Sequence, residues 1–378
     1  MKPSTSRSSF PFLALLATMA SLAAANDSFA NTVAQNVSWT IDRPDTDEKY
    51  RIVAYGDSIF AGYKGSISSV AVWSAPTVDG DYASALWGTD VETVRRTKSG
   101  AKAGDIYQTK IVDDASYMAA PETRIVTFEM CGNDALQARD DFSGQGSACD
   151  YSRLDNALAE CTQYQELAMI YINDNASPNV ERKIVSNLYY PHYDGDNVLT
   201  SCTDDTTGLQ PNKQDVVLTY LLRMNWRACH FATVYGFECA DTFAEFMGSD
   251  YDSNGDRRKD SSALRYREGE SEDNYVFRLG TTLRGTIRDA NLHYFRSTKS
   301  FDYIQSDDTH PTFRGRSVSI GTFGGSGGGS SEPRAAIERY RNGKLGFWKN
   351  YGHERMGWAM SRFTPSVLQA SDGVDLAQ

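Results

Sequence analysis

The stretch Arg51-Ile52-Val53-Ala54-Tyr55-Gly56-Asp57-Ser58-Ile59 decides the fold. A short β-prone run ends at a glycine and leads straight into Asp57-Ser58. The same grammar recurs along the chain. Val91–Thr97 reads as a strand ending near Ser99-Gly100, and Thr123–Met130 as one ending at Gly132. Lys183–Tyr189 is closed by Pro191, and Phe237–Asp241 is a fifth candidate. Helical patterns lie between them, over Ala101–Met118, Leu154–Asn173 and Lys213–Tyr235. In the second, Leu154, Leu158, Cys161, Tyr164, Gln165 and Ala168 repeat at the three-to-four spacing of one helix face. Strands alternating with helices of this length predict βαβ units and a central parallel sheet. Ligands in such sheets sit beyond the carboxyl ends of the strands, where Gly56, Gly100 and Gly132 fall.

Ser58 follows its strand at a tight turn that Gly56 permits, which is where an exposed nucleophile belongs. A serine needs a base, and Asp307-Asp308-Thr309-His310-Pro311 offers one. An aspartate three residues before a histidine can fold back onto its imidazole, fixing the tautomer and stabilising the imidazolium. Asp307 has that spacing and Asp308 does not. Donors for an oxyanion are the third requirement. Gly100 supplies a backbone N–H, Asn133 a side-chain amide and Ser58 its own N–H; Gly104 is the rival to Gly100. A decoy lies at Gly324-Gly325-Ser326-Gly327-Gly328, which fits G-x-S-x-G but sits in a glycine run with no strand before it.

These blocks resemble the SGNH hydrolases, also called GDSL esterases/lipases. The match runs through Ser58 in YGDSIFAGY, Gly100 in RRTKSGAKAGD, Asn133 in CGNDA and His310 in DDTHPT, over about residues 50–315. Ile59 stands where that family usually has leucine. Gly352–Ala359 (GHERMGWA) resembles the helix that follows the family's histidine block, which makes Arg316–Tyr351 an insertion. The resemblance implies a three-layer α/β/α flavodoxin-like fold and hydrolysis of carboxylic esters through an acyl-enzyme. In that scheme His310 deprotonates Ser58, and Ser58, Gly100 and Asn133 hold the oxyanion. The substrates it implies are short-chain acyl esters or lipids. The alternatives are a carbohydrate O-acetyl esterase and a catalytically silent binding protein that keeps the fold.

The rest of the 378 residues sets the context. Residues 1–30 read as a signal peptide, cut after Ala25 or Ala30, with 31–49 an N-terminal extension and 50–378 the hydrolase domain carrying an insertion at about 316–351. The product is then secreted or periplasmic. No later stretch is long and apolar enough for a transmembrane helix. A net charge of −11 excludes nucleic acid held by phosphate contacts. Six cysteines with no C-x-x-C pair predict up to three disulfides rather than zinc, with Cys149–Cys161 a local bridge among the fifteen possible pairings. Asp250, Asp252, Asn254 and Asp256 open like a calcium loop, but Ser261 stands where the closing glutamate belongs. The readings of this loop are a structural calcium site or a solvated acidic turn, and the chemistry requires no cofactor.

Overall fold

The computed structural model describes residues 33–42, 46–190, 202–247, 264–287, 304–305, 307, 309–313, 317–319 and 351–361. The leader, the calcium-like loop at Asp250–Asp256, Asp308, His192, Ser326 and nearly all of the insertion lie outside them.

Among the described residues, six strands form the main sheet: β1 (Val33–Ile41), β2 (Lys49–Gly56), β4 (Asp90–Ser99), β5 (Thr123–Phe128), β6 (Arg182–Ser186) and β7 (Glu238–Ala240). They run in the order β1-β4-β2-β5-β6-β7. All neighbours are parallel except β1 on β4. A two-stranded ribbon pairs β3 (Ser69–Ala71) with β8 (Ser317–Ser319). Without β1, the five parallel strands take the order second, first, third, fourth, fifth, which is the flavodoxin-like arrangement. Its switch point lies between β2 and β5. The interior of β2 is buried without alternation from Ile52 to Tyr55, as a strand covered on both faces requires.

Val33–Ile41 is set apart as an extension in the sequence reading, yet it supplies the antiparallel edge of this same sheet. Its alternating Val37, Trp39 and Ile41 are buried, so the sheet domain begins at residue 33 rather than 50.

The helices cover both faces. On one side, α2 (Ala75–Trp87) packs against α10 (Gly352–Ser361). A side chain at Gly357 would come within 2.5 Å of Val78, so the glycine sets how closely the two helices cross. On the other side lie α6 (Ser152–Asn175) and α7 (Lys213–Tyr235), packed on each other, with α9 (Glu272–Ile287) against α7, while α8 (Thr242–Met247) packs on α10. Asn212 caps α7 by accepting from the Asp215 amide at 3.1 Å, and Gly236 ends it in the left-handed region. The helix expected over Ala101–Met118 is broken into α3 (Ala103–Ile106), a π turn at Tyr107–Val112 and α4 (Ala115–Met118). The Thr109 hydroxyl donates to the Asp105 carbonyl at 2.8 Å, competing for the acceptor that an α-helix would give to the Thr109 amide.

The disulfides are Cys131–Cys161, Cys149–Cys202 and Cys229–Cys239. They overturn the local Cys149–Cys161 pairing. Cys161 sits on the buried face of α6 beneath the end of β5, while Cys149 is held beside Cys202 by its N–H, which donates to the Thr203 carbonyl at 2.9 Å. Loops of 30, 53 and 10 residues contribute about 3 to 4 kcal/mol each in the chain-entropy account.

His353 of α10 is fully buried, and its Nδ1 accepts from the Ala75 amide at 3.3 Å. Burial, with the charges of Arg95 and His310, lowers its pKa from 6.5 to about 3. The unfolded chain therefore takes up a proton that the folded chain refuses. The His353 contribution to stability is complete above pH 6.5 and is lost as the pH falls toward 3. Melting temperatures between pH 7 and 4 should accordingly fall more steeply for the wild type than for His353→Asn; parallel curves would refute this.

Candidate active site

The turn after β2 carries the first functional side chain. Asp57, not Ser58, caps the short helix α1 (Ser58–Ala61), its Oδ1 accepting from the Ile59 amide at 2.7 Å. Ser58 is thus free of capping duty, and its Oγ turns toward His310 Nε2 at 2.8 Å. The far end of α1 is held by buried Arg95 of β4, whose Nη1 donates to the carbonyls of Ala61 and Ala71, each at 2.9 Å, and to Ser74 Oγ at 2.6 Å.

His310 comes from a loop 252 residues away in sequence. Its Nδ1 meets Asp307 Oδ2 at 2.8 Å, while Asp307 Oδ1 accepts from the amides of Thr309 and His310 at 3.1 and 3.0 Å. Burial works to raise the Asp307 pKa, but the ring, those amides and the charge of His310 hold it below the ordinary carboxyl value. The imidazole lies against the Tyr63 ring, with centroids 4.1 Å apart. Gln305 fastens the loop, donating from Nε2 to the carbonyls of Tyr63 and Pro311 at 2.8 Å and from its amide to the His310 carbonyl at 2.7 Å. Tyr189 adds a bond from its hydroxyl to the Thr309 carbonyl at 2.6 Å. Behind the loop, the N-terminus of α10 binds Thr312 through the amides of Gly352 and His353.

Asn133 lies across the switch point, in the first turn of α5 (Gly132–Ser143). Its Nδ2 donates to Asp57 Oδ2 at 2.9 Å and to the Ala101 carbonyl at 3.0 Å. Turning the amide over would set its oxygen against two acceptors, so the bonds fix its orientation. Both amide hydrogens are thereby engaged. Gly100 takes the left-handed conformation at φ 76° directly after β4. Its loop is tied to α5 by the Ala103 amide, which donates to buried Asp134 Oδ2 at 2.9 Å. Burial raises the Asp134 pKa to about 6. Gly104, the rival to Gly100, is instead pressed against the Tyr164 ring, where an added Cβ would come within 2.8 Å. Cys131 precedes α5 at φ 81°, a conformation costly for a residue with a side chain, and its disulfide ties this loop to α6.

Ser58, Asp307, His310 and Asn133 are therefore joined in one hydrogen-bonded set through Asp57 and the α1 turn, with the Gly100 loop alongside. An apolar cavity of about 40 Å³ opens beside it. Gly132 and Thr309, the neighbours of Asn133 and His310, line it together with Ile59, Leu136, Val217 and Leu221. The supports at Tyr63, Tyr189, Gln305, Arg95 and Glu129 escape a sequence reading. Tyr63 closes the YGDSIFAGY block and Arg95 opens RRTKSGAKAGD, but nothing in either block marks their roles; Tyr189, Gln305 and Glu129 lie outside the blocks.

No family model matches this chain, and no curated protein matches it. Solved structures similar to it include an extracellular lipase from Streptomyces rimosus, 21% identical over 53% of this chain and 82% of that one, with a TM-score of 0.39. A phospholipase A1 from Streptomyces albidoflavus is 15% identical over 62% and 99%, with a TM-score of 0.39. An acetylxylan esterase from Geobacillus stearothermophilus is 13% identical over 65% and 96%, with a TM-score of 0.36.

Proposed function

We propose that this chain is a serine ester hydrolase of the SGNH type that cleaves carboxylic esters of short acyl chains through an acyl-enzyme. The observation that carries the reading is the relay of two 2.8 Å contacts, Ser58 Oγ to His310 Nε2 and His310 Nδ1 to Asp307 Oδ2. With Asp307 holding the proton on Nδ1, Nε2 is the basic nitrogen and accepts from Ser58. Ser58 Oγ attacks the ester carbonyl and His310 takes its proton. The oxyanion forms opposite, within reach of the Ser58 and Gly100 amides and of Asn133, whose hydrogen on the Ala101 carbonyl is the one a substrate would compete for. His310 then protonates the leaving alcohol and activates the water that releases the acid.

The acyl length follows from the cavity. A volume of about 40 Å³ exceeds what one water needs but falls well short of a benzene-sized void, which supports a short acyl group. With p-nitrophenyl esters, kcat/KM should peak between acetate and butyrate and fall by octanoate. Leu136→Ala, which widens the wall, should move the peak to longer chains. A wild-type maximum at octanoate or beyond would overturn the short-chain assignment. The same cavity accommodates an acetyl group, which favours the carbohydrate O-acetyl esterase as second reading; acetate-only activity together with turnover of an acetylated oligosaccharide would select it. No turnover of any ester would select a binding protein. Export is part of the proposal, supported by the pairing of all six cysteines in disulfides.

A further inference from the structure

Glu129 follows β5 directly and continues its ladder, donating from its amide to the Tyr55 carbonyl at 3.1 Å. Its side chain turns inward beneath the nucleophile turn, and both Glu129 and Asp57 are only 1% exposed. The Asp57 amide donates to Glu129 Oε1 at 2.7 Å, which sets the two buried carboxyl groups next to one another. Two buried carboxyls this close cannot both ionise, so one of them carries a proton. Among the described residues no lysine or arginine pairs with either, so nothing offsets a second buried negative charge.

The surroundings decide which carboxyl holds the proton. Asp57 already accepts from the Ile59 amide on Oδ1 and from Asn133 on Oδ2, bonds that favour its anion. The charge of His310 favours that anion as well. Burial and the neighbouring Asp57 charge hold Glu129 well above the ordinary carboxyl value, despite the Asp57 and Phe60 amides. Tyr189, the remaining titratable group facing the pair, stays a neutral phenol because burial and the charges of Asp57, Glu129 and Asp307 all push its pKa up. The sequence has made room for the pair. A Cβ at Gly56 would come within 2.5 Å of Glu129 Oε1, and one at Gly132 within 3.0 Å of Asp57 Oδ2. The glycines of the Ser58 and Asn133 blocks thus each face one of the two carboxyls.

We propose that Glu129 is a positioning residue: it keeps a proton at neutral pH, donates it to Asp57, and so locks the Ser58 turn on β2 to the Asn133 turn on β5. The role rests on Ser58 being the nucleophile of an ester hydrolase. A single shared charge orients the Asn133 amide. A second charge would drive the carboxyls apart and place negative potential beneath the forming oxyanion.

Full-length Glu129→Gln and Glu129→Leu test this by ester kinetics, fluorophosphonate labelling of Ser58 and infrared spectroscopy. Gln keeps a neutral donor toward Asp57 and an acceptor for its amide, so kcat should stay within about threefold of wild type. Leu leaves the Asp57 amide without its acceptor and takes away the proton donor beside the Asp57 carboxylate, so kcat should fall roughly tenfold to thirtyfold through misplacement while KM changes less than about twofold. The wild-type spectrum at pH 7 should contain a protonated-carboxyl C=O band that Glu129→Gln removes. A folded Glu129→Leu with unchanged kcat, a Glu129→Gln as impaired as Glu129→Leu, or absence of that band would each overturn the proposal. If Glu129→Leu does not fold, the other two results decide. A wild type that neither hydrolyses esters nor labels at Ser58 overturns the hydrolase reading, and the positioning role with it. The proposal fails separately where Ser58 labels normally and the band is missing.

Discussion

Ser58→Ala should lower the turnover of a soluble ester by at least about 10⁴-fold, the scale on which nucleophile removal acts in serine hydrolases, with no loss of fold. The two halves of this expectation have separate physical grounds. The hydroxyl makes its one described contact to His310 Nε2 at 2.8 Å, so its loss removes the attacking atom and leaves the base with nothing to deprotonate. The helix behind it does not depend on that hydroxyl. Asp57 caps α1 through the Ile59 amide, Arg95 holds the Ala61 carbonyl, and Glu129 binds the Asp57 amide, none of which Ser58→Ala touches. A fluorophosphonate should add its mass to the Ser58 peptide in the wild type and to no peptide in the variant. Residual activity above about 1% of wild type, or a label on Ser326, would move the nucleophile elsewhere; a set oxyanion site alone leaves far less than that.

The parts of this molecule that can be read from sequence are those whose physics is local. The central strand announces itself at Arg51–Tyr55 because every residue of a doubly covered strand is β-prone and apolar at its centre. Helix α7 is legible to its last residue, since Asn212 and Gly236 mark its ends by capping chemistry within one turn. Where an outcome depends on packing between distant segments, the local signal misleads. Val33–Ile41 alternates as a strand should, but its partner is β4, some sixty residues on, and nothing nearby announces the pairing. The cysteines behave likewise: a close Cys149–Cys161 bridge is favoured by spacing, whereas α6 turns Cys161 toward Cys131 and loop pairing carries Cys149 to Cys202. The Ser58 block stands out because it follows a strand without a break, and the His310 block because Asp307 lies three residues before the histidine. Glu129, Tyr63 and Gln305 do not, because each is an ordinary residue until a turn from another block is folded against it.

The second large effect separates orientation from tautomer at His310. Asp307 uses both carboxylate oxygens, Oδ2 on the ring Nδ1 at 2.8 Å and Oδ1 on the amides of Thr309 and His310 at 3.1 and 3.0 Å. Asp307→Asn cannot satisfy both sides. With its oxygen on the two amides, its NH₂ faces Nδ1, which must then accept; the ring proton moves to Nε2, and Ser58 loses its base. With its oxygen on the ring, the NH₂ is driven against two N–H donors and the loop opens. The Tyr63 ring and the Gln305 bonds keep the imidazole in place in either case, so the loss is mainly one of tautomer. The corresponding change in a serine protease costs about 10⁴ in turnover, and the partial hold on the ring brings the expected cost here to roughly 10² to 10³. KM should change little, because Asp307 touches the base and not the cavity proposed to receive the acyl group. Steady-state kinetics on one soluble ester, with circular dichroism on the same samples, measure both quantities. A folded Asp307→Asn within about threefold of wild-type turnover would mean that a different group fixes the imidazole. The Asp307–His310 contact would then be a loop brace rather than part of the relay.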